Sequence, residues 1–296
     1  MSLPFTLDQL EVFTLVLDTG SFSAAAQHLG VSQPAVSAQV RALERKMGTR
    51  LLERVGRTVG PTPSGVTLAG HARALLEAGR QTTEAVANHG EGVSGTVRLG
   101  TGATACLHLL PRILQRIRRD HPALHVAVST GNTDDIVRRV ELNALDLAFV
   151  TLPVSSRTMA VTPTLRDDFV VVASLGAARL PATVKATDLA DIPMVLFESG
   201  SNTRLQVESW LLAAGVRVRP AMELGSIEAI KEMVYAGLGC SILPVMALRG
   251  ADMKRLQSRA LHPALSRELG LVMRQDKPLS RGMQVLVSAL SSSKSR

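Results

Sequence analysis

The chain has 296 residues, a formal net charge of +8, 46% hydrophobic residues and two cysteines. That length suits roughly two domains with sizeable cores, and no apolar run approaches the ~20 residues a helical bilayer span requires, so no membrane-spanning helix and a cytoplasmic location are expected. The basic balance suits a polyanionic partner, but residues 1–90 hold eight Lys and Arg against seven acids, so most of the excess lies further along.

The stretch from Gly20 to Arg54 is the first informative one. Ser21 is an N-cap for an apolar-periodic run (Phe22, Ala25, Ala26, Leu29), Leu29 to Val31 make a corner, and Ser32 caps a second helix with Pro34 in its first turn. Two short helices joined by so tight a turn predict a helix-turn-helix. In the second helix Ala35, Val36, Val40 and Leu43 are expected to pack inward, while Gln33, Ser37 and Arg41 share the opposite face with Pro34. Gln bridges adenine N6 and N7, Ser donates or accepts, and a proline ring touches a thymine methyl, which is the chemistry of a base-reading surface. A solvated polar face is the competing explanation. Against it stand Arg41, Arg45, Lys46, Arg50, Arg54 and Arg57, six bases facing only Glu44 and Glu53. Gly56, Gly60, Pro61, Pro63 and Gly65 then bound an extended piece suited to a wing, with Arg57 at its tip directed at a minor groove.

These motifs, S-F-S-x-A-A, S-Q-P-A-V-S, Leu43-Glu44, G-x-R-L-L-E-R from Gly48 and T-P-S-G from Thr62, resemble the N-terminal domain of LysR-type transcriptional regulators. The resemblance implies that Gln33, Pro34, Ser37 and Arg57 touch operator DNA; Ser32, Arg41 and Arg54 join them as candidate contacts. Many members carry Arg directly after the serine at 37, where this chain has Ala38, so one common contact is missing and the operator sequence is open.

Residues 65–90 lack proline and place Leu68, Ala72, Leu75, Gly79, Thr82 and Val86 at steps of four and three, a weak seam of the coiled-coil kind. A surface helix on its own domain is the alternative. The resemblance implies a dimerising linker helix, and a homodimer or homotetramer suits two recognition helices about one DNA turn (~34 Å) apart. HGEGVSG, residues 89–95, is a hinge by composition.

Beyond it, apolar strands (TVRLG, HVAVS, LAFV, FVVVAS, MVLF, CSILP, LGLVM) alternate with helical stretches, which predicts an α/β domain on a largely parallel sheet buried on both faces. The resemblance adds two Rossmann-like subdomains, as in periplasmic binding proteins, with a cleft between them. The expected organisation is a winged helix-turn-helix at 1–64, a linker helix at 65–90 and an effector domain at 91–296, with subdomain I at about 91–163 and 266–296 and subdomain II at about 164–265.

Ligands of open α/β sheets sit beyond the carboxyl ends of strands, where helix N-termini present free N–H groups. Thr101, Gly102, Ala103 and Thr104 follow the first strand of this domain, and Glu198, Ser199, Ser201, Asn202, Thr203 and Arg204 follow MVLF. Facing each other, with Arg204 supplying a guanidinium, they would cradle a carboxylate or phosphate. A merely capped helix is the alternative for each loop. Ser129, Thr130, Asn132, Thr151 and Pro153 at other strand ends are secondary candidates, and Glu198 would oppose an anion unless it pairs with Arg204 or takes a ligand's hydrogen bond.

GTGATA also matches the dinucleotide fingerprint, which makes an NAD-linked oxidoreductase the rival reading. That fold needs an acid at the end of the second strand; Asp120 precedes HVAVS, whose end is Thr130-Gly131-Asn132. The sequence holds no G-x-S-x-G, H-E-x-x-H or P-loop, Pro122 interrupts the pair His121 and His125, and one Trp and one Tyr are too few for stacked single strands. Cys106 and Cys240 fit no zinc pattern and are expected to be inert. The expectation is a regulator rather than an enzyme, without cofactor or metal, that binds double-stranded promoter DNA and a small organic anion.

Overall fold

The computed structural model describes residues 3–55, 58–87, 92–177 and 180–292, and the chain forms two units, one before Gly92 and one from Gly92 on, the turn 142–144 set aside. The first unit starts from a capping box. The Thr6 hydroxyl accepts from the Gln9 N–H while the Gln9 side chain accepts from the Thr6 N–H, opening α1 (Leu7–Thr19). Ser21 and Ser32 each accept from the N–H three residues on and open α2 (Phe22–Leu29) and α3 (Gln33–Met47). Such a cap contributes about 1 kcal/mol.

Leu10, Phe13, Val16, Ala25, Ala26, Val36, Val40, Leu43 and Leu51 form this unit's core. Burying each of the larger ones contributes about 1.5–3 kcal/mol. Ala35 is exposed instead of packing inward, because Val36, Val40 and Leu43 alone make the stripe that meets α1 and α2. β1 (Leu52–Val55) and β2 (Thr58–Pro61) pair antiparallel as the wing, Leu52 opposite Pro61 and Val55 opposite Thr58.

α4 (Pro63–Ala87) leaves the wing through Gly65, whose Cα passes Leu51 so closely that a Cβ would lie 2.0 Å from the Leu51 carbonyl oxygen. The expected seam on this helix is divided. Leu68 and Ala72 belong to the head's own core and Gly79 lies against Leu7, whereas Leu75 is 42% exposed and Thr82 is exposed. The cause is α1, which takes its apolar cover from Leu68, Ala69, Ala72 and Leu76. The side chain of Val86, residue 88 and residues 89–91 of the expected hinge lie outside the described residues.

The second unit runs β3 (Gly95–Thr101), α5 (Ala103–His108), α6 (Leu110–Asp120), β4 (Leu124–Thr130), α7 (Thr133–Glu141), β5 (Leu147–Thr151), β6 (Met159–Ser174), β7 (Thr183–Lys185), β8 (Val195–Phe197), α8 (Asn202–Ala213), β9 (Met222–Leu224), α9 (Ile227–Tyr235), β10 (Ser241–Pro244), β11 (Leu256–His262), β12 (Ser266–Arg274) and α10 (Arg281–Ser291). Strand order β4-β3-β5-β12-β6 makes one subdomain. The same β6, 16 residues long, continues into the other, where it meets β10 and β11, with β7 beyond β11. β8 and β9 pair in parallel, and a bridge from Met194 to Cys240 ties them to β10.

The strands are buried on both faces as expected: Leu147 and Phe149 face α5, α6 and α10, while Ala148 and Val150 face α7. The sheet is mixed, not largely parallel. β3 pairs in parallel with β4 and β5, but β12 runs antiparallel to β5 and β6, as do β10 and β11 to β6. An apolar run reports that both faces are covered; direction is set by the connections, and here the chain crosses between subdomains and returns.

Candidate DNA-reading face and effector cleft

Gln33, Pro34 and Arg41 are exposed on α3, Ser37 is half-buried, and Ser32 caps the helix with its hydroxyl on the Ala35 N–H. The polar stripe therefore faces outward along one side of a helix whose other side is the core. Gln33 and the exposed Arg54 line one hollow of about 390 Å³, together with Ser21, Ser23 and Thr58. Ser23 and Thr58 escape sequence reasoning because Ser23 sits in the first turn of α2 and Thr58 on the wing, and only the folded unit brings them to one hollow with Gln33. Arg57 lies outside the described residues. Glu44 fixes the wing to α3: its Oε1 accepts from the N–H groups of Leu51 and Leu52 at 2.8 and 3.3 Å. Such charge-assisted bonds hold a loop that its short strands alone would leave loose.

In the second unit α8 reaches from one subdomain to the strand ends of the other. Asn202 donates from Nδ2 to the Thr151 carbonyl at 3.5 Å, and Gln206, one turn on, donates from Nε2 to the Leu152 carbonyl at 3.3 Å. The carboxyl ends of β3, β4 and β5 thus lie on the side that α8 faces. Gln206 escapes sequence reading, although its spacing of four from Asn202 puts both on one helical face. Pro153, exposed, follows Leu152 through a cis peptide bond.

Several expected ligand groups are already engaged. Thr101 is fully buried at the end of β3, and its hydroxyl donates to the Phe149 carbonyl at 2.7 Å. Arg204 is 4% exposed; its guanidinium donates to Glu208 at 2.7 Å, to the Phe197 carbonyl at 2.6 Å and to Glu223 at 3.2 Å. It therefore seats α8 on β8 and β9, and the expected pairing with Glu198 is replaced by Glu208 and Glu223. The Thr203 hydroxyl accepts from Arg267 at 3.2 Å, the Ser129 hydroxyl accepts from Arg139 at 3.1 Å, and Asn132 caps α7 through the Asp135 N–H at 2.9 Å.

Glu198 remains exposed, and no cation lies within 4 Å of it among the described residues; its carboxylate occupies the space a Cβ on Gly225 would fill, at 3.0 Å. Ser201 caps α8 by accepting from the Arg204 N–H. Gly102 caps α5, Ala103, Thr130 and Ser199 are exposed, and Thr104 and Thr151 are half-buried.

Where β6 and β12 cross between the subdomains, Arg267 and Asp167 stand directly opposite each other. Arg267, 4% exposed, donates from Nε and Nη2 to Asp167 at 3.0 and 2.9 Å, and Asp167 also accepts from the Met246 N–H at 3.0 Å. Burial pulls the Arg267 guanidinium down from its ordinary range, and the Asp167 charge opposes that shift. Sequence reading misses this pair, since two charges 100 positions apart carry no local signal.

The GTGATA loop leads from the end of β3 into α5. Gly100 is closely packed, a Cβ there lying 2.6 Å from side-chain atoms of both Ile136 and Leu145, and the helix after Gly102 has six residues. Cys240 is buried and its thiol is pushed up to about 12 by desolvation, so it stays protonated at neutral pH.

Residues 7–66 match the family model described as a bacterial regulatory helix-turn-helix protein of the lysR family, and residues 90–294 match the LysR substrate binding domain. The chain belongs to the LysR family of transcriptional regulators. It is 34% identical over 285 residues to the uncharacterized HTH-type transcriptional regulator YeiE of Escherichia coli, covering 94% of each chain. It is 33% identical to the HTH-type transcriptional activator CmpR of Synechocystis over 82% of this chain and 80% of that one. In fold it resembles a full-length OxyR variant of Pseudomonas aeruginosa (TM-score 0.78, 23% identity, 97% and 94% of the two chains). It likewise resembles the LysR-family regulator CbnR (TM-score 0.67, 22% identity, 97% and 99% of the two chains). The LysR substrate binding domain contains α8 and the strand ends it faces, and the lysR-family helix-turn-helix contains α3 and the wing. Among the described residues no helix is long and apolar enough to cross a membrane.

Proposed function

We propose that this LysR-family regulator reads duplex operator DNA with Gln33, Pro34 and Ser37 on base edges, and that Ser32, Arg41, Arg54 and Arg57 contact the phosphate backbone or minor groove. The observation that supports this is the outward polar stripe of α3 beside a wing clamped by Glu44. Gln33→Ala is expected to lose about 1–3 kcal/mol of discrimination at one base step while binding to random DNA changes little. Fluorescence anisotropy on the operator and on a scrambled duplex measures this; equal losses on both would remove Gln33 from base reading.

The second half of the reading is a small anionic effector, bound between the two subdomains at the start of α8. Arg204, Thr101 and Ser201 act as supports, the Ser201 hydroxyl donating to the Glu198 carbonyl at 3.3 Å, so the anion's partners are backbone N–H groups at the α8 start with the hydroxyls of Ser199 and Thr130. Asn202 and Gln206, the side chains joining α8 to β5, support this placement. A ligand that favours one arrangement of the subdomains transmits a signal only through its differential affinity. We infer further that the protein acts as a homodimer or homotetramer, organised as a head at 1–64, a linker helix at 65–90 and an effector domain at 91–296. A thermal-shift screen of organic acids, sugar phosphates and amino acids tests the effector, since a ligand held at 100 times its Kd adds about 2.7 kcal/mol to stability. Stabilisation by an acid that persists unchanged in Asn202→Ala would move the site elsewhere.

A further inference from the structure

At the end of α5 the His108 side chain is 2% exposed and lies against the other subdomain. Its Nε2 is 3.2 Å from Oε1 of Glu228 in α9, yet the geometry is not that of a hydrogen bond, and neither ring nitrogen has a hydrogen-bond partner among the described residues. A buried polar group without a partner is costly, so its persistence calls for a reason. The groups facing it come from two elements. α9 supplies Glu228 and Lys231, and the segment after β10 supplies Arg249 and Asp252.

These neighbours form a network that leaves the imidazole out. Lys231, 2% exposed, donates to the Ala247 carbonyl and to Asp252 at 3.2 Å and lies 2.8 Å from Glu228. Asp252 also accepts from the Tyr235 hydroxyl and the Arg249 N–H. Burial works to raise the Asp252 carboxyl, but these bonds and the Lys231 charge outweigh it and hold it below its ordinary range, so Asp252 stays ionised. Arg249 in turn donates across the subdomain boundary to the Leu107 carbonyl at 3.0 Å.

We propose that His108 is a proton-sensitive latch between the subdomains: the neutral ring fits the closed boundary, and its protonation drives α5 away from α9 and the 249–252 segment. The physical cause is desolvation first, then the Arg249 charge, with Lys231 adding to it; Glu228 and Asp252 pull the other way without overcoming them, so the closed boundary holds the imidazole below its ordinary value. Opened to water, the ring returns to about 6.5. The open form therefore binds more protons. Closure is fully favoured above about 6.5 and weakens as pH falls below it, by up to ~tenfold per pH unit until the lowered closed-state value is reached. The proposal rests on the reading that the two subdomains close on each other, but no effector enters its test, so an error about the effector's chemistry leaves it standing.

Hydrogen–deuterium exchange on the full-length protein reads both sides of this linkage. Exchange at the His108 C2–H gives the ring's own titration, and amide exchange in residues 103–109 and 227–235, corrected for intrinsic rates, gives boundary opening between pH 7.5 and 5.0. The wild type is expected to titrate below 6.5 and to lose protection several-fold on acidification. His108→Gln should abolish that pH slope whatever its starting level, and Arg249→Ala should shrink it by letting the ring titrate closer to 6.5. An unchanged slope in either variant, or a wild-type ring that titrates at or above 6.5, overturns the latch; if His108→Gln does not fold, Arg249→Ala decides.

Discussion

Gly65→Ala is expected to unfold the DNA-binding unit while the effector unit stays folded. The added Cβ would sit 2.0 Å from the Leu51 carbonyl oxygen and 3.0 Å from its carbon, and this is backbone that cannot rotate aside. That carbonyl also accepts from the Thr62 N–H at 3.0 Å, so moving it breaks the join between the start of the wing and the start of α4. Thr62 is bound there a second time, its hydroxyl donating to the Arg50 carbonyl at 2.8 Å and accepting from the Gly65 N–H at 3.1 Å. Ordinary overpacking costs about 1–3 kcal/mol; a clash with fixed backbone belongs above about 4 kcal/mol, a large share of a small unit's stability. Calorimetry should show the first unit's transition lost or displaced well downward, with operator affinity lost alongside. A wild-type melting profile would mean that α4 and Leu51 are further apart than described.

Asp167→Ala carries the next largest effect. It strands the Arg267 guanidinium, 4% exposed, with the Thr203 hydroxyl and the Phe169 ring, 5.7 Å from centroid to guanidinium carbon, as its remaining company among the described residues. Removing one partner of a buried pair costs about 3–5 kcal/mol, because the remaining charge is neither solvated nor compensated. Urea denaturation of the effector unit should register that loss. Replacing both, Asp167→Leu with Arg267→Met, should recover part of it, since an apolar pair of similar volume bears no charge-desolvation penalty while the Met246 N–H still loses its acceptor. If the double variant were as unstable as the single one, the role of the pair would be geometric, aligning β6 with β12, rather than electrostatic.

What could be read from sequence was whatever is decided by neighbours. Ser21 and Ser32 cap their helices because the N–H they satisfy is three residues away, and the outward face of α3 follows from the spacing of Val36, Val40 and Leu43. What could not be read was which polar side chains are already taken. Thr101 and Arg204 have the right chemistry for an anion and stand at strand and helix ends where ligands gather. Their hydroxyl and guanidinium are nonetheless held by Phe149, 48 positions off, and by Glu223, 19 positions off. The division of the α4 seam has the same origin, since nothing in residues 65–90 announces that α1 will claim Leu68 and Ala72. The mixed sheet was hidden because hydrophobicity is blind to strand direction.

Strand β6 is unbroken from Met159 to Ser174 and is hydrogen-bonded along one stretch to β12 and along the next to β10 and β11. The two lobes are consequently joined by hydrogen-bonded ribbon rather than by slack tether, so a rearrangement between them twists or flexes that ribbon. It follows as well that neither lobe can be excised cleanly. A cut through the ribbon strips each fragment of a ladder partner and bares sticky edges prone to misassembly.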